Sequence, residues 1–199
     1  MNLDELKEKI QRMYSSVEEA RELDLSKFRP KYVPHGHWVR VHHDFQGDWT
    51  PTRIKRVAFG VIRDIADLKD YLASAARVRG QGTTVVDETI RQNFELQLII
   101  DLANYDKHSA HNRKTWSGKA PRLRNVKRVF ELKGTMEPSR RLALRLGRKG
   151  IESTGGEAAV VISGDIVGKG GEHLSTLSFC GQKSIEAWQS LIRRFGLAL

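Results

Sequence analysis

The spacing of apolar residues changes in mid-chain, and that change limits the available folds more than any other feature. Up to about residue 108, apolar side chains recur every three or four positions. After Trp116 they fall in short runs bounded by Gly, Pro or Ser. The first pattern belongs to amphipathic helices packed on a core, the second to short strands joined by tight turns. With 199 residues, the chain is long enough to bury roughly 70% of its unfolded surface. The reading is therefore an α+β fold: a three-helix N-terminal half, then a small antiparallel β-meander covered by a C-terminal helix. Residues 1–112 form the helical domain with an irregular 28–49 insert. Residues 113–199 form the sheet and last helix, packed as one unit with the first.

The element boundaries follow from local chemistry. Leu3, Leu6, Ile10, Met13, Val17 and Ala20 make one apolar stripe, with Glu and Lys on the other faces. This helix is a bundle member or a short coiled-coil seam, so Leu3 to Ala20 is also a candidate surface for a protein partner or self-association. Pro30 and Pro34 bar helix between Phe28 and Trp49. Thr50-Pro51 is an N-cap followed by the proline-favoured first helical position, and Gly80 and Gly82 end the helix so begun. Thr84 with Asp87 resembles a capping box opening a third helix, marked by Ile90, Phe94, Leu98 and Leu102. The strands are Val126–Leu132, Leu142–Leu146, Ala158–Ile162 and Leu174–Phe179. Eight of the 17 glycines lie between Gly147 and Gly171, where hairpin turns need them. Ser184 then caps a last helix that Gly196 stops.

Charge supplies the functional signal. The formal net charge is +10, and the window from Lys107 to Lys149 alone holds 14 Lys or Arg against two acids, Glu131 and Glu137. The rest of the chain is slightly acidic. A solvated surface normally mixes the signs, whereas a concentrated cationic field attracts polyanions. The loop His111-Asn112-Arg113-Lys114-Thr115-Trp116-Ser117-Gly118-Lys119 adds an aromatic, Trp116, able to stack on an unpaired base or to plug the core. Candidate phosphate contacts are Arg113, Lys114, Lys119, Arg122, Arg124, Lys127, Arg128, Arg140, Arg141, Arg145 and Arg148. On the strand Val126–Leu132, alternation places Lys127 and Glu131 on one face and Arg128 and Phe130 on the other.

The string Asp101-Leu102-Ala103-Asn104-Tyr105-Asp106-Lys107-His108 places Asp101, Asn104 and His108 on one helical face. Polar groups on so apolar a helix are either a site, with Asp101 orienting His108, or a buried network anchoring the following loop. A helical half ending in D-L-x-N-x-x-K-H resembles a group of uncharacterised bacterial and phage-associated proteins, some distantly similar in shape to HEPN helical domains. HEPN ribonucleases carry an Arg followed four to six residues later by a His on a helix. Here only Arg29 and His35 have that spacing, and Pro30 and Pro34 interrupt them. The resemblance implies a nuclease alternative, HEPN-like or metal-assisted, using Asp101, Asn104 and His108.

Other motifs carry less. His35, His37, His42, His43 and Asp44 lie close together, and His108 and His111 are three apart, but neither matches a zinc-hydrolase spacing, so no metal site is assigned. Gly164 to Gly171 has the wrong spacing for a phosphate loop and reads as a hairpin turn. Cys180 lies in an apolar run and reads as a small core residue with no adjacent base. No cofactor is expected. A lone cysteine suits a reducing cytoplasm. No run reaches the roughly 18 apolar residues of a membrane span, and the mixed-charge N-terminus does not suit a secretory signal. The leading expectation is a cytoplasmic, non-catalytic protein binding RNA or DNA through sequence-independent backbone contacts. The nuclease and the protein-interaction module remain as alternatives.

Overall fold

A computed structural model describes residues 3–28, 31–35, 38–42, 44–108, 114–134, 143–147, 150–154 and 156–196; for 3, 31–35, 38–42, 133–134, 143–147, 150–154 and 156 it describes the backbone alone. The order is α1 (Leu3–Glu19), β1 (Arg21–Glu22), a single 3-10 turn (Leu25–Lys27), β2 (Lys31–His35), β3 (Trp38–His42), α2 (Pro51–Val78), α3 (Thr84–Gln92), α4 (Phe94–His108), β4 (Arg122–Gly134), β5 (Ala143–Gly147), β6 (Gly150–Thr154), β7 (Gly156–Val167), β8 (His173–Thr176) and α5 (Leu177–Arg194). This is the α+β arrangement that the change of spacing predicts: helices, then an antiparallel sheet, then a closing helix.

Several caps form as the sequence chemistry requires. The Thr50 hydroxyl accepts from the Arg53 N–H at 3.2 Å, with Pro51 as the first helical residue. Gly196, at φ 66°, donates its N–H to Arg193 O and ends α5. Several expectations need correction, the irregular 28–49 insert first, since it holds the antiparallel pair β2–β3. The predicted third helix is two helices, broken at Asn93, which is extended (φ −124°, ψ 98°). Side-chain amides replace the bonds lost there: Asn93 donates to Thr89 O, and Gln97 Nε2 donates to Ile90 O and Arg91 O. Thr83, not Thr84, precedes α3, and it makes no side-chain cap bond. The predicted strand Leu174–Phe179 ends at Thr176, whose hydroxyl accepts from Phe179 N–H and starts α5 eight residues before Ser184. Ser184 is buried inside that helix, and its hydroxyl has no partner among the described residues.

The main sheet is centred on β7, flanked by β4 on one side and by β1 and β8 on the other. The β2–β3 and β5–β6 pairs are separate two-stranded ribbons, whereas β1 pairs with β7, so the main sheet takes strands from both halves of the chain. One core cluster runs through all five helices and β7. Trp188 of α5 is fully buried in it and donates Nε1–H to Ile65 O of α2 at 2.9 Å. The α1 stripe belongs to the same cluster: Leu6, Ile10 and Met13 are buried, and α1 packs along α2. The middle of the stripe expected to meet a partner helix thus packs within the chain, while Val17 and Ala20 are only partly buried. A smaller cluster of Leu25, Phe28, Ala158 and Val160 packs with Phe45, Phe130 and Leu132, and Phe45 stacks on Phe130 at 5.6 Å.

A β-bulge in β4 sets the orientation of its cations. Arg122 pairs with Val167, Arg124 with Asp165 and Lys127 with Ser163, the register slipping between Arg124 and Lys127. All three partners are odd-numbered residues of β7, and directly opposed residues point to the same side of a sheet. The extra residue therefore brings Arg122, Arg124 and Lys127 onto one face. Asn125 takes the left-handed conformation the bulge needs (φ 51°), and its side chain donates to Asp165 Oδ2 at 2.7 Å. Gly164 faces the bulge, where an added Cβ would lie 2.9 Å from Arg124 O and 3.3 Å from Val126 Cα. Both contacts are backbone, which yields little. Gly164→Ala is expected to lower stability by about 1–3 kcal/mol, read as a fall in Tm of about 2–4 °C per kcal/mol. An unchanged Tm would mean that the bulge gives way freely.

Candidate nucleic-acid interface

The cationic surface starts from a buried carboxylate. Asp101 lies on α4 where apolar residues nearly surround the helix, and it is only 1% exposed. Its Oδ1 accepts from the Trp116 N–H at 2.8 Å, and its Oδ2 accepts from the Ser117 N–H at 2.9 Å and the Ser117 hydroxyl at 2.6 Å. Three short donors offset the loss of water around the charge. Asp101 thus anchors the loop after α4 and does not bond to His108. Asn104 and His108 are exposed one turn and two turns further on. Of the two readings open for this string, the geometry is that of the loop anchor.

The anchored loop carries Lys114 and Lys119 into solvent, while Trp116 is half-buried and packs against the main core. Its ring plugs the base of the loop. The Ser117 hydroxyl accepts from the Lys119 N–H, tightening the turn at Gly118 (φ 69°). A second turn docks beside it. The β7–β8 hairpin closes through Gly168 N–H to Glu172 O and Gly171 N–H to Gly168 O, and the Lys169 N–H donates to Lys119 O at 3.2 Å. Lys169 is exposed. The hairpin turn at Gly164–Gly171 is legible in the sequence, but Lys169 is missing from the expected phosphate contacts because it lies 20 residues beyond the basic window that ends at Lys149.

Arg124 and Lys127 are exposed on β4, the strand that follows the first of these turns, and Arg122 lies over the Tyr105 ring of α4, 3.6 Å from its centroid. Among the described residues, none of Lys114, Lys119, Arg122, Arg124, Lys127 or Lys169 forms an ion pair with a carboxylate. Lys107, at the start of the basic window, is paired with Asp67 at 2.7 Å. Arg128 needs correction as a surface contact: it is only 6% exposed and points to the opposite face of β4 from Lys127. Arg113, Arg140, Arg141 and Arg148 lie outside the described residues, as does the Arg145 side chain on β5.

Among the described residues, no three His, Cys, Asp or Glu side chains cluster to hold a metal ion. The side chains of His35, His37, His42 and His43, and all of His111, lie outside them. Asp44 is exposed and accepts from the Gln46 N–H. Cys180 is fully buried in the first turn of α5, not on a strand, and burial pushes its thiol from 9.0 up to about 11. Among the described residues, no helix is long and apolar enough to cross a membrane. No family model, curated protein sequence or solved structure matches the chain.

Two outcomes test this geometry. Asp101→Asn removes the charge from three hydrogen bonds and should cost about 1.5–3 kcal/mol. Amide exchange at Trp116 and Ser117 should then accelerate ahead of global unfolding, and unchanged protection there would contradict the anchor. Cys180 should resist alkylation at pH 8 until the protein unfolds. Because its folded value is the higher one, its contribution to stability is complete below about pH 9. It declines as pH rises towards about 11.

Proposed function

We propose that this chain is a nucleic-acid-binding protein or subunit, cytoplasmic, that grips phosphate backbone through a basic surface without reading sequence. The observation carrying this reading is the set of exposed cations on two docked turns and one strand face, Lys114, Lys119, Lys169, Arg124 and Lys127. None of them is neutralised by a carboxylate among the described residues. Lysines on turns offer point charges to phosphate oxygens, while an arginine such as Arg124 offers a forked donor. The packing of the Trp116 ring against the core favours backbone contact over base stacking.

Binding of RNA, single-stranded DNA and duplex DNA should weaken steeply with salt, with a log–log slope of about −0.9 per phosphate contacted on duplex and about −0.7 on single strands. Changing Lys119 or Lys169 to Ala should flatten the slope by about one contact each, with the circular dichroism spectrum unchanged. A response to salt that is flat in the parent protein would refute the reading.

A further inference from the structure

On the opposite face of β4, the structure holds a second cationic site of different character. Arg128 as a residue is only 6% exposed, yet no carboxylate among the described residues lies within ion-pair distance of it. Its Nη1 donates to Gln46 O at 3.2 Å, and its plane is held by Phe28 and Trp49, whose ring centroids lie 5.1 Å and 4.7 Å from Cζ. Loss of water around it lowers its pKa. A guanidinium has five N–H donors, and among the described residues only Nη1 of Arg128 is seen to donate.

Those donors border a cavity of about 460 Å³, lined also by Lys27, Arg53, Gly47, Trp49, Glu22 and Asp48. Arg53 stacks on Trp49 at 4.1 Å and is otherwise exposed. Lys27 and Glu22 neutralise each other at 2.8 Å. Asp48 is exposed, and it and Glu22 are the two carboxylates whose charge acts on Arg128. With Glu22 held by Lys27, two arginines stacked on one indole border the same cavity against Asp48, which leaves an excess of positive charge for a small dianion. Burying an unpaired charge is costly, and an arriving anion would remove that cost while accepting forked hydrogen bonds from both guanidinium groups.

We infer that the cavity between the 44–49 loop and β4 is a binding site for a phosphate dianion, presented as free phosphate, a nucleoside 5′-monophosphate or the 5′-phosphate of a strand. The site does not rest on the backbone-binding surface, which occupies the other face of β4 and separate turns.

Titration calorimetry on the full chain tests it with inorganic phosphate, a nucleoside 5′-monophosphate, and matched oligonucleotides with and without a 5′-phosphate. Sulfate and chloride at equal ionic strength serve as controls. At least one phosphate ligand should bind, and Arg53→Ala should weaken it by about tenfold or more. Arg53 is exposed, so this variant keeps the test sound even if Arg128→Met fails to fold. Equal affinity for inorganic phosphate and the nucleotide assigns the site to free phosphate. A preference for the 5′-phosphorylated strand over its 5′-hydroxyl counterpart assigns it to strand ends. Both outcomes uphold the site, and both should survive Lys119→Ala and Lys169→Ala, which weaken only the backbone surface. No binding by any phosphate ligand, equal heats with sulfate, or affinity untouched by Arg53→Ala would overturn it.

Discussion

The cationic loop of this protein depends on one buried charge. Asp101 sits where α4 is apolar nearly all round, and a carboxylate there is tolerable only because two backbone amides and a hydroxyl converge on it. The dependence runs both ways. Without those donors the carboxylate would destabilise the helix, and without the carboxylate residues 116 and 117 would have nothing to close on. The loop's geometry is therefore tied to the main core, and through Lys119 O it passes to the hairpin that carries Lys169. Charges on a surface repel and spread unless the backbone beneath them is fixed, and here it is fixed from inside.

The bulge in β4 does comparable work for the strand. Plain alternation would place Lys127 on the opposite side from Arg122 and Arg124. One extra residue, held by Asn125 to Asp165 across from Gly164, reverses the phase and groups the three. The same slip turns Arg128 inward among Phe28 and Trp49. A single irregularity thus separates the exposed Arg124 and Lys127 from the buried Arg128.

The sequence carried the fold class and much of the helical half in plain view. Thr50-Pro51 and Gly196 act through local stereochemistry, so their neighbours suffice to predict them. The apolar faces of α1 and α2 are buried as their spacing requires. Asn93 was hidden because the helical period continues through it and no Gly or Pro marks the break; side-chain amides from one turn away hold it. Thr176 was passed over because Leu174, Leu177 and Phe179 look like a strand when read without the cap. The site was legible as an excess of charge. What separated its members was not: the burial of Arg128 arises from aromatic residues 79 and 100 positions earlier in the chain, and the approach of Lys169 to Lys119 rests on one backbone hydrogen bond. Contacts of that range leave no periodic trace.

Gln46 bears on how the protein coexists with its own copies. Among the described residues β4 pairs with β7 alone, and such an outer strand invites further strands to add to it. At its midpoint, the Gln46 amide takes up the Arg128 carbonyl at 3.1 Å and meets the Arg128 N–H at 3.5 Å, imitating a neighbouring strand with one side chain. Charged Arg124 and Lys127 and the kink at Asn125 guard the preceding stretch. The 44–49 loop is therefore also a stopper against polymerisation, keeping a long, valine- and phenylalanine-bearing edge from templating fibrils when the protein is concentrated.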